Sequence, residues 1–222
     1  MLSTLLLLSA PLAQAVPKNI TLTYKVTRNG THFADVTEVF KQDGKKYSIS
    51  SVTKGLGVYA LMGERKLLSH GDVTKQGLKP RHFESLQSTK PAKNLINDFD
   101  WKNRQLNMQV KGEAQQLPLE KNTQDLLSVM YQFMYAPPKS KAVKIPVTIG
   151  KRLSTQAYNV NLKPVSIPTG AGDLKAIELV ESGEKDGKRI FLAVEQQYIP
   201  AKMIVVDDGA TLEQTLTTVK FE

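Results

Sequence analysis

The sequence contains no cysteine. This excludes disulfide stapling, thiol catalysis, thiolate metal centres and a lipid-anchored N-terminal cysteine together. Histidine is scarce, with only His32, His70 and His82 present. None stands at metal-ligand spacing from another, and none has a carboxylate three or four residues away on a helical stretch, so they read as surface and turn residues, with no metal site and no cofactor. Beyond residue 15, no run reaches the 18 or so apolar residues that a membrane-spanning helix needs. Acidic residues are outnumbered, 21 against 30 Lys and Arg, for a net charge of +9. There is no internal repeat and no low-complexity tract.

Catalytic signatures are missing as well. There is no Gly-x-Ser-x-Gly elbow and no Ser-x-x-Lys with its partner motifs. Ser69, His70 and Asp72 are neighbours, but adjacent strand residues point to opposite faces and cannot form a hydrogen-bonded relay. Gly55-Leu56-Gly57 and Gly170-Ala171-Gly172 lack the third glycine and the strand-before, helix-after setting of a nucleotide loop. One carboxylate pair stands out: Asp98 and Asp100 share a strand parity, which puts them on one face about 7 Å apart and within reach of glycosidase chemistry. Lys93, Lys102 and Arg104 nearby favour a solvated, charge-balanced face. No catalytic residue is assigned. The basic residues are scattered singly and not interleaved with aromatics on one face, which argues against nucleic acid as a partner.

What is present begins with a leader. Residues Met1 to Ala15 read MLSTLLLLSAPLAQA, with an apolar block at Leu5 to Leu8, a break at Pro11 and small residues at Ala13 and Ala15. The pattern predicts a secretory signal peptide over residues 1–15, cleaved between Ala15 and Val16, and a periplasmic protein not anchored by a transmembrane helix after cleavage. Its amino-terminal region carries no Lys or Arg, a departure from the usual pattern.

The 222 residues are 41% hydrophobic and 23% charged, ordinary globular composition, and period-two alternation dominates. Ile20, Leu22, Tyr24 and Val26 alternate with polar neighbours. Asn29-Gly30 follows as a hairpin turn, the chain returns through Ala34, Val36 and Phe40, and after a turn at residues 42–45 it leaves through Tyr47 and Ile49. Leu95, Phe99 and Trp101 share a parity ahead of a turn at residues 102–104; Leu106, Met108 and Val110 alternate after it. Ile177 and Leu179, a turn at residues 184–187, Ile190 to Val194, Met203 and Val205, the Asp207-Asp208-Gly209 turn, and Leu212 and Leu216 complete the series. Such spacing predicts a mainly β fold, a curved or barrel-like antiparallel sheet forming a single domain over residues 16–222.

One segment breaks the period. Leu126, Leu127, Met130, Tyr131, Phe133 and Met134 form a helical stripe. It predicts one principal helix over about 123–136, with Thr123 as N-cap and Pro137-Pro138 as terminator. A short helical turn fits Gly55 to Met62, and residues 137–149 read as a connector. Charge is uneven: residues 16–111 hold 17 basic and 8 acidic side chains, and residues 112–222 hold 13 of each.

The order of short motifs resembles a known family. Asn29-Gly30 and Asp43-Gly44 precede Tyr47-x-Ile49; then come Gly55-Leu56, Ser69-His70-Gly71, Gly77-Leu78-Lys79-Pro80 and Phe83; then Gln124-Asp125-Leu126-Leu127-Ser128 through Tyr131; and last Pro200 before Met203-Ile204 and Asp208-Gly209. In these the chain resembles, over roughly residues 25–222, the exported bacterial proteins grouped as domain of unknown function 3108. The resemblance implies a single, mostly antiparallel β domain with a helix, exported in Gram-negative bacteria, and it supplies no catalytic residue.

Three functions remain in view. The first is a non-enzymatic envelope protein holding a lipid or other anionic amphiphile against an apolar wall of Tyr24, Phe40, Tyr47, Phe99, Trp101 and Met108, the alternative for these six being simple core filling. The second is a glycan or cell-wall hydrolase using the carboxylate pair. The third is an interaction module docking a partner on an exposed edge strand.

Overall fold

Alternation does set the strands. In the computed structural model, which describes residues 17–150, 152–183 and 187–222, Ile20, Leu22 and Tyr24 are buried while their neighbours are not. The expected cleavage site at Ala15–Val16 and most of the expected turn at 184–187 lie outside the described residues. Eight strands follow in order: β1 (Asn19–Arg28), β2 (Thr31–Asp43), β3 (Lys46–Gly55), β4 (Glu64–Thr74), β5 (Gly77–Gln87), β6 (Leu95–Asp100), β7 (Gln105–Val110) and β8 (Glu113–Pro118). Helix α1 (Ser128–Tyr135) comes next. Six more strands complete the chain: β9 (Ala142–Ile149), β10 (Arg152–Ile167), β11 (Leu174–Glu181), β12 (Lys188–Ala193), β13 (Ile199–Asp207) and β14 (Ala210–Phe221).

The fold is mainly β, as expected, and the fourteen strands form one antiparallel sheet ordered β8 to β1, then β14 to β9. Two meanders are thus joined where β1 pairs with β14. Asn29 and Gly30 turn the first hairpin with φ of 49° and 82°, the doubly positive pair that a type I′ turn requires.

The sheet curls without closing on itself, because β8 and β9 are its two edges and do not pair among the described residues. The gap is bridged from inside. Gln124 forms a parallel bridge to β9, donating its amide to the Pro146 carbonyl and accepting from Thr148 N. Its side-chain amide donates to the Leu78 carbonyl of β5 at 2.9 Å. Gln132 on α1 receives Leu78 N and donates to the Gln76 carbonyl. The helix therefore lies inside the curl, touching β5 and β13. Leu127, Tyr131 and Met134 pack into one apolar cluster, and Val129 and Phe133 into a second built on β9 to β12. A helix that is apolar on both sides belongs in a core.

Three local expectations change. The helix begins at Ser128 and Thr123 is not its N-cap: Thr123 Oγ1 donates to the Glu120 carbonyl. Asp125 takes over, its Oδ1 accepting Leu127 N at 2.9 Å and Ser128 N at 2.8 Å. The stretch expected as a connector contains β9, whose Ile145 and Val147 are buried. The helical turn after Gly55 is real, a 3-10 turn over Gly57–Met62.

Candidate functional site

Polar side chains inside an apolar curl need partners, and their positions mark the site. On β2, Glu38 shares the inward parity of Val36 and Phe40 and is buried. Ser51 stands directly opposite on β3 and donates to Glu38 Oε1 at 3.2 Å, while Tyr131 Oη from α1 donates to Oε2 at 2.8 Å. Burial pushes the Glu38 carboxyl above its ordinary value, the two hydroxyl donors offsetting only part of the cost. The Tyr131 ring stacks on Phe40 at 5.5 Å, so the donor is held in place.

Glu38 forms part of the wall of a cavity of about 240 Å³. On one side the wall is Tyr24, Val36, Ser51, Thr53 and Leu67; on the other Met203, Val205 and Tyr158; the segment leading into α1 and the helix itself add Leu126, Val129 and Met130. Two wall tyrosines are tied down, Tyr24 Oη to the Pro200 carbonyl and Tyr158 Oη to Gln156 Oε1. Three cations also line the space: Arg65, Lys188 and Lys202. Lys202 Nζ is held by Glu213 at 2.8 Å. Arg65 donates Nε to Ser85 Oγ at 3.3 Å, and neither it nor Lys188 forms an ion pair among the described residues. Arg65 has substantial accessible surface, but protein crowds its head enough that desolvation lowers its pKa. Desolvation also lowers that of Lys188, with Glu181 opposing.

The cavity lies toward one end of the curl. Thr53 and Arg65 are cross-strand partners one pair from the β3–β4 loop, Lys188 begins β12, and Val205 stands two residues before the end of β13. Two of the three cations come from the half of the chain whose formal charge is zero, so the basic lining is made by topology and not by the excess over residues 16–111.

A second buried carboxyl serves the architecture. Asp125 Oδ2 accepts from Ser69 Oγ at 2.7 Å, and Tyr47 Oη lies 3.1 Å from the same hydroxyl. Burial raises the Asp125 pKa to about 6, against the lowering effect of the Ser128 and Leu127 amides and the Ser69 hydroxyl.

Of the six apolar candidates, only Tyr24 lines the cavity. Phe40, Tyr47, Phe99 and Met108 are buried in the main cluster. Trp101 is half-buried in the turn after β6, donates Nε1 to the Pro80 carbonyl at 2.6 Å and lies under Lys79 Nζ at 5.0 Å, beside other hollows. Asp98 and Asp100 share the outer face but are separately engaged, Asp98 by His82 at 2.7 Å and Asp100 by Lys102 N and Asn103 N. Glu38, Arg65, Lys188 and Lys202 escaped the sequence reading. For Glu38 a signal existed, a charged residue on the buried parity of an apolar strand; for the three cations none did, because strands distant in sequence bring them together.

The architecture defines a class: an open, barrel-like antiparallel sheet curled around one helix, with a small cavity between helix and wall. A family model described as "Protein of unknown function (DUF3108)" matches residues 22–217. The chain belongs to that family. Among solved structures it is similar to a beta-barrel-like protein of domain of unknown function DUF1849 from Brucella abortus, with 12% identity, a TM-score of 0.57, and coverage of 94% of this chain and 100% of the other; at that identity the likeness is one of fold. No curated protein matches.

Proposed function

We propose that this chain is a binding protein of the bacterial envelope, exported with cleavage between Ala15 and Val16, that holds a small anionic amphiphile in the cavity beneath α1. The observation that carries the reading is the pairing of an apolar-walled space with Arg65 and Lys188, two partly desolvated cations without ion pairs among the described residues. Such cations are costly to maintain unless a charged partner arrives. Glu38, in the same wall, is engaged by the Ser51 and Tyr131 hydroxyls and forms no ion pair with these cations among the described residues, and burial pushes its carboxyl up. The volume of about 240 Å³ is below the roughly 300–1,000 Å³ of drug-sized pockets, which selects a single-chain amphiphile over a two-tailed lipid. The head group would sit near Arg65, Lys188 and Lys202, with the apolar portion against Leu67, Leu126, Met130 and Met203. The edge-strand reading has less in its favour: β8 spans only Glu113–Pro118 and ends in proline, the kind of short edge that resists augmentation.

Calorimetry of the delipidated protein against a single-chain anionic amphiphile and its zwitterionic counterpart tests the reading. Binding should favour the anion, weaken with salt and show a negative heat-capacity change. Arg65→Gln with Lys188→Gln should remove the preference for the anion. Absence of heat with either ligand, or a preference that the double variant retains, would refute it. N-terminal sequencing of the exported form should begin at Val16.

A further inference from the structure

Among the described residues, the three most exposed large apolar side chains, Val58, Leu61 and Met62, stand together on one loop, with Tyr59 beside them. Val58 is 77% exposed, Leu61 85%, Met62 60% and Tyr59 39%, and the 3-10 turn that carries them, Gly57–Met62, buries none of its residues. Soluble surfaces scatter single apolar residues; a contiguous set at an apex marks a contact.

The apex is built, not merely extruded. Leu56 N donates to the Phe33 carbonyl at 2.8 Å, and the Tyr59 ring meets Phe33 edge-on at 5.3 Å. A side chain at Gly55 would strike the Tyr59 backbone. On the far side Thr89 Oγ1 donates to the Met62 carbonyl at 2.6 Å and Ser88 Oγ receives Glu64 N at 2.9 Å. These bonds tie the β3–β4 loop to the β5–β6 loop, which brings Lys90 and Lys93, both exposed, alongside it. Exposed Lys54 and Lys66 flank the base. Neither loop contains an acidic residue. Glu64, between Lys54 at 3.3 Å and Lys66 at 3.4 Å, opposes four lysines with one carboxylate.

We propose that this apex docks the protein on an anionic lipid bilayer. Val58, Leu61 and Met62 would enter the boundary between head groups and acyl chains, Tyr59 would lie at head-group level, and the lysines would meet the anionic heads. A protein partner fits less well, because lysine is depleted at protein–protein interfaces whereas a lysine-collared apolar tip complements a charged bilayer. Docking does not depend on what the cavity holds. It would nonetheless bring the cavity near the membrane, since Thr53 and Arg65 lie one cross-strand pair from the loop.

Vesicle co-sedimentation tests this with protein as purified from cells, its N-terminus fixed by mass spectrometry and identical in every form. The vesicles are phosphatidylcholine alone or mixed with phosphatidylglycerol. The unaltered protein should bind the mixed vesicles and lose affinity as salt rises. Val58→Asp with Leu61→Asp should lower that affinity at least about tenfold without moving the thermal midpoint, as expected for exposed positions. Lys90→Glu with Lys93→Glu, a second route should the first variant fold poorly, should abolish the preference for phosphatidylglycerol. Failure of the unaltered protein to bind either vesicle, or binding by both variants as tight and as selective as that of the unaltered protein, would overturn the proposal. So would a dimer in sedimentation velocity that needs Val58 and Leu61 and forms in place of vesicle binding.

Discussion

Asp125 gathers three hydrogen bonds on one buried carboxyl, from Ser69 to one oxygen and from Leu127 N and Ser128 N to the other, while its own amide donates to Ser128 Oγ. Its pKa is raised to about 6 from an ordinary 3.8. The folded state therefore binds more protons than the unfolded chain between those values. Stability falls as pH rises through that window, and above pH 6 the full cost of the charge is present, on the order of 3 kcal/mol for a shift of this size. Asp125→Asn keeps an oxygen for the helix amides and removes the charge. The prediction concerns the difference between wild type and variant in urea midpoints from pH 4 to 7: the advantage of the variant should grow up to about pH 6 and then level off. Glu38, also raised, steepens the wild-type decline, whereas His70, whose pKa desolvation lowers from 6.5, opposes it; both are common to the two proteins. A constant difference across the range would show that Asp125 is not the titrating group. The helical stripe places Asp125 near the start of the expected helix over 123–136 but cannot show that it is buried, since the burial involves β4, whose Ser69 is separated from it by 56 positions.

Among the elements, α1 shows how far a periodic pattern reads. The stripe of Leu126 through Met134 located the helix, and Pro137-Pro138 lies just past its end. It could not show that Val129 and Phe133 face a second cluster, because two-sided burial leaves no polar face to fix an orientation. The strand β9 was hidden by Lys139, Lys141, Lys144 and Pro146, although Val143, Ile145, Val147 and Ile149 keep period two; an edge strand tolerates Pro and Lys where a central one does not. Burial differs along the helix, and so should the cost of truncation. Leu127→Ala, fully inside, should cost about 2–5 kcal/mol in unfolding free energy. Met130→Ala, half-buried against the cavity, should cost less and enlarge the space, so that a longer amphiphile binds it better than it binds the wild type. Equal costs at both positions would show that the cavity does not extend to Met130. On β4, an added methyl at Gly71 would drive into the Lys79 and Pro80 backbone at the β-bulge. Gly71→Ala should lower the denaturation midpoint, because backbone on the partner strand cannot move aside as a side-chain end would.

At the level of the whole molecule, the curl gathers Arg65 from β4 with Lys188 and Lys202 from the neighbouring strands β12 and β13, which lie far from β4 in sequence and in sheet order. A sheet that packed its interior to native density would have no reason to hold cations there. The cost is present wherever these heads are charged in the folded protein. Desolvation lowers both the Arg65 and Lys188 pKa values, yet each group keeps its proton well above pH 7 in the unfolded chain, so folding transfers a charged head into a poorer environment. That cost would be recovered only as pH rises through the lowered folded value. Replacing both by glutamine should therefore raise the unfolding midpoint of the unliganded protein at pH 7 while removing the stabilisation that an anionic amphiphile gives to the wild type. The two effects have opposite signs and are read in one thermal-shift series, with and without ligand. A purely structural role for the cations predicts the reverse in the unliganded protein, a lower midpoint on substitution. That outcome would assign Arg65 and Lys188 to the packing of the curl and remove the basis for a binding site between α1 and the wall.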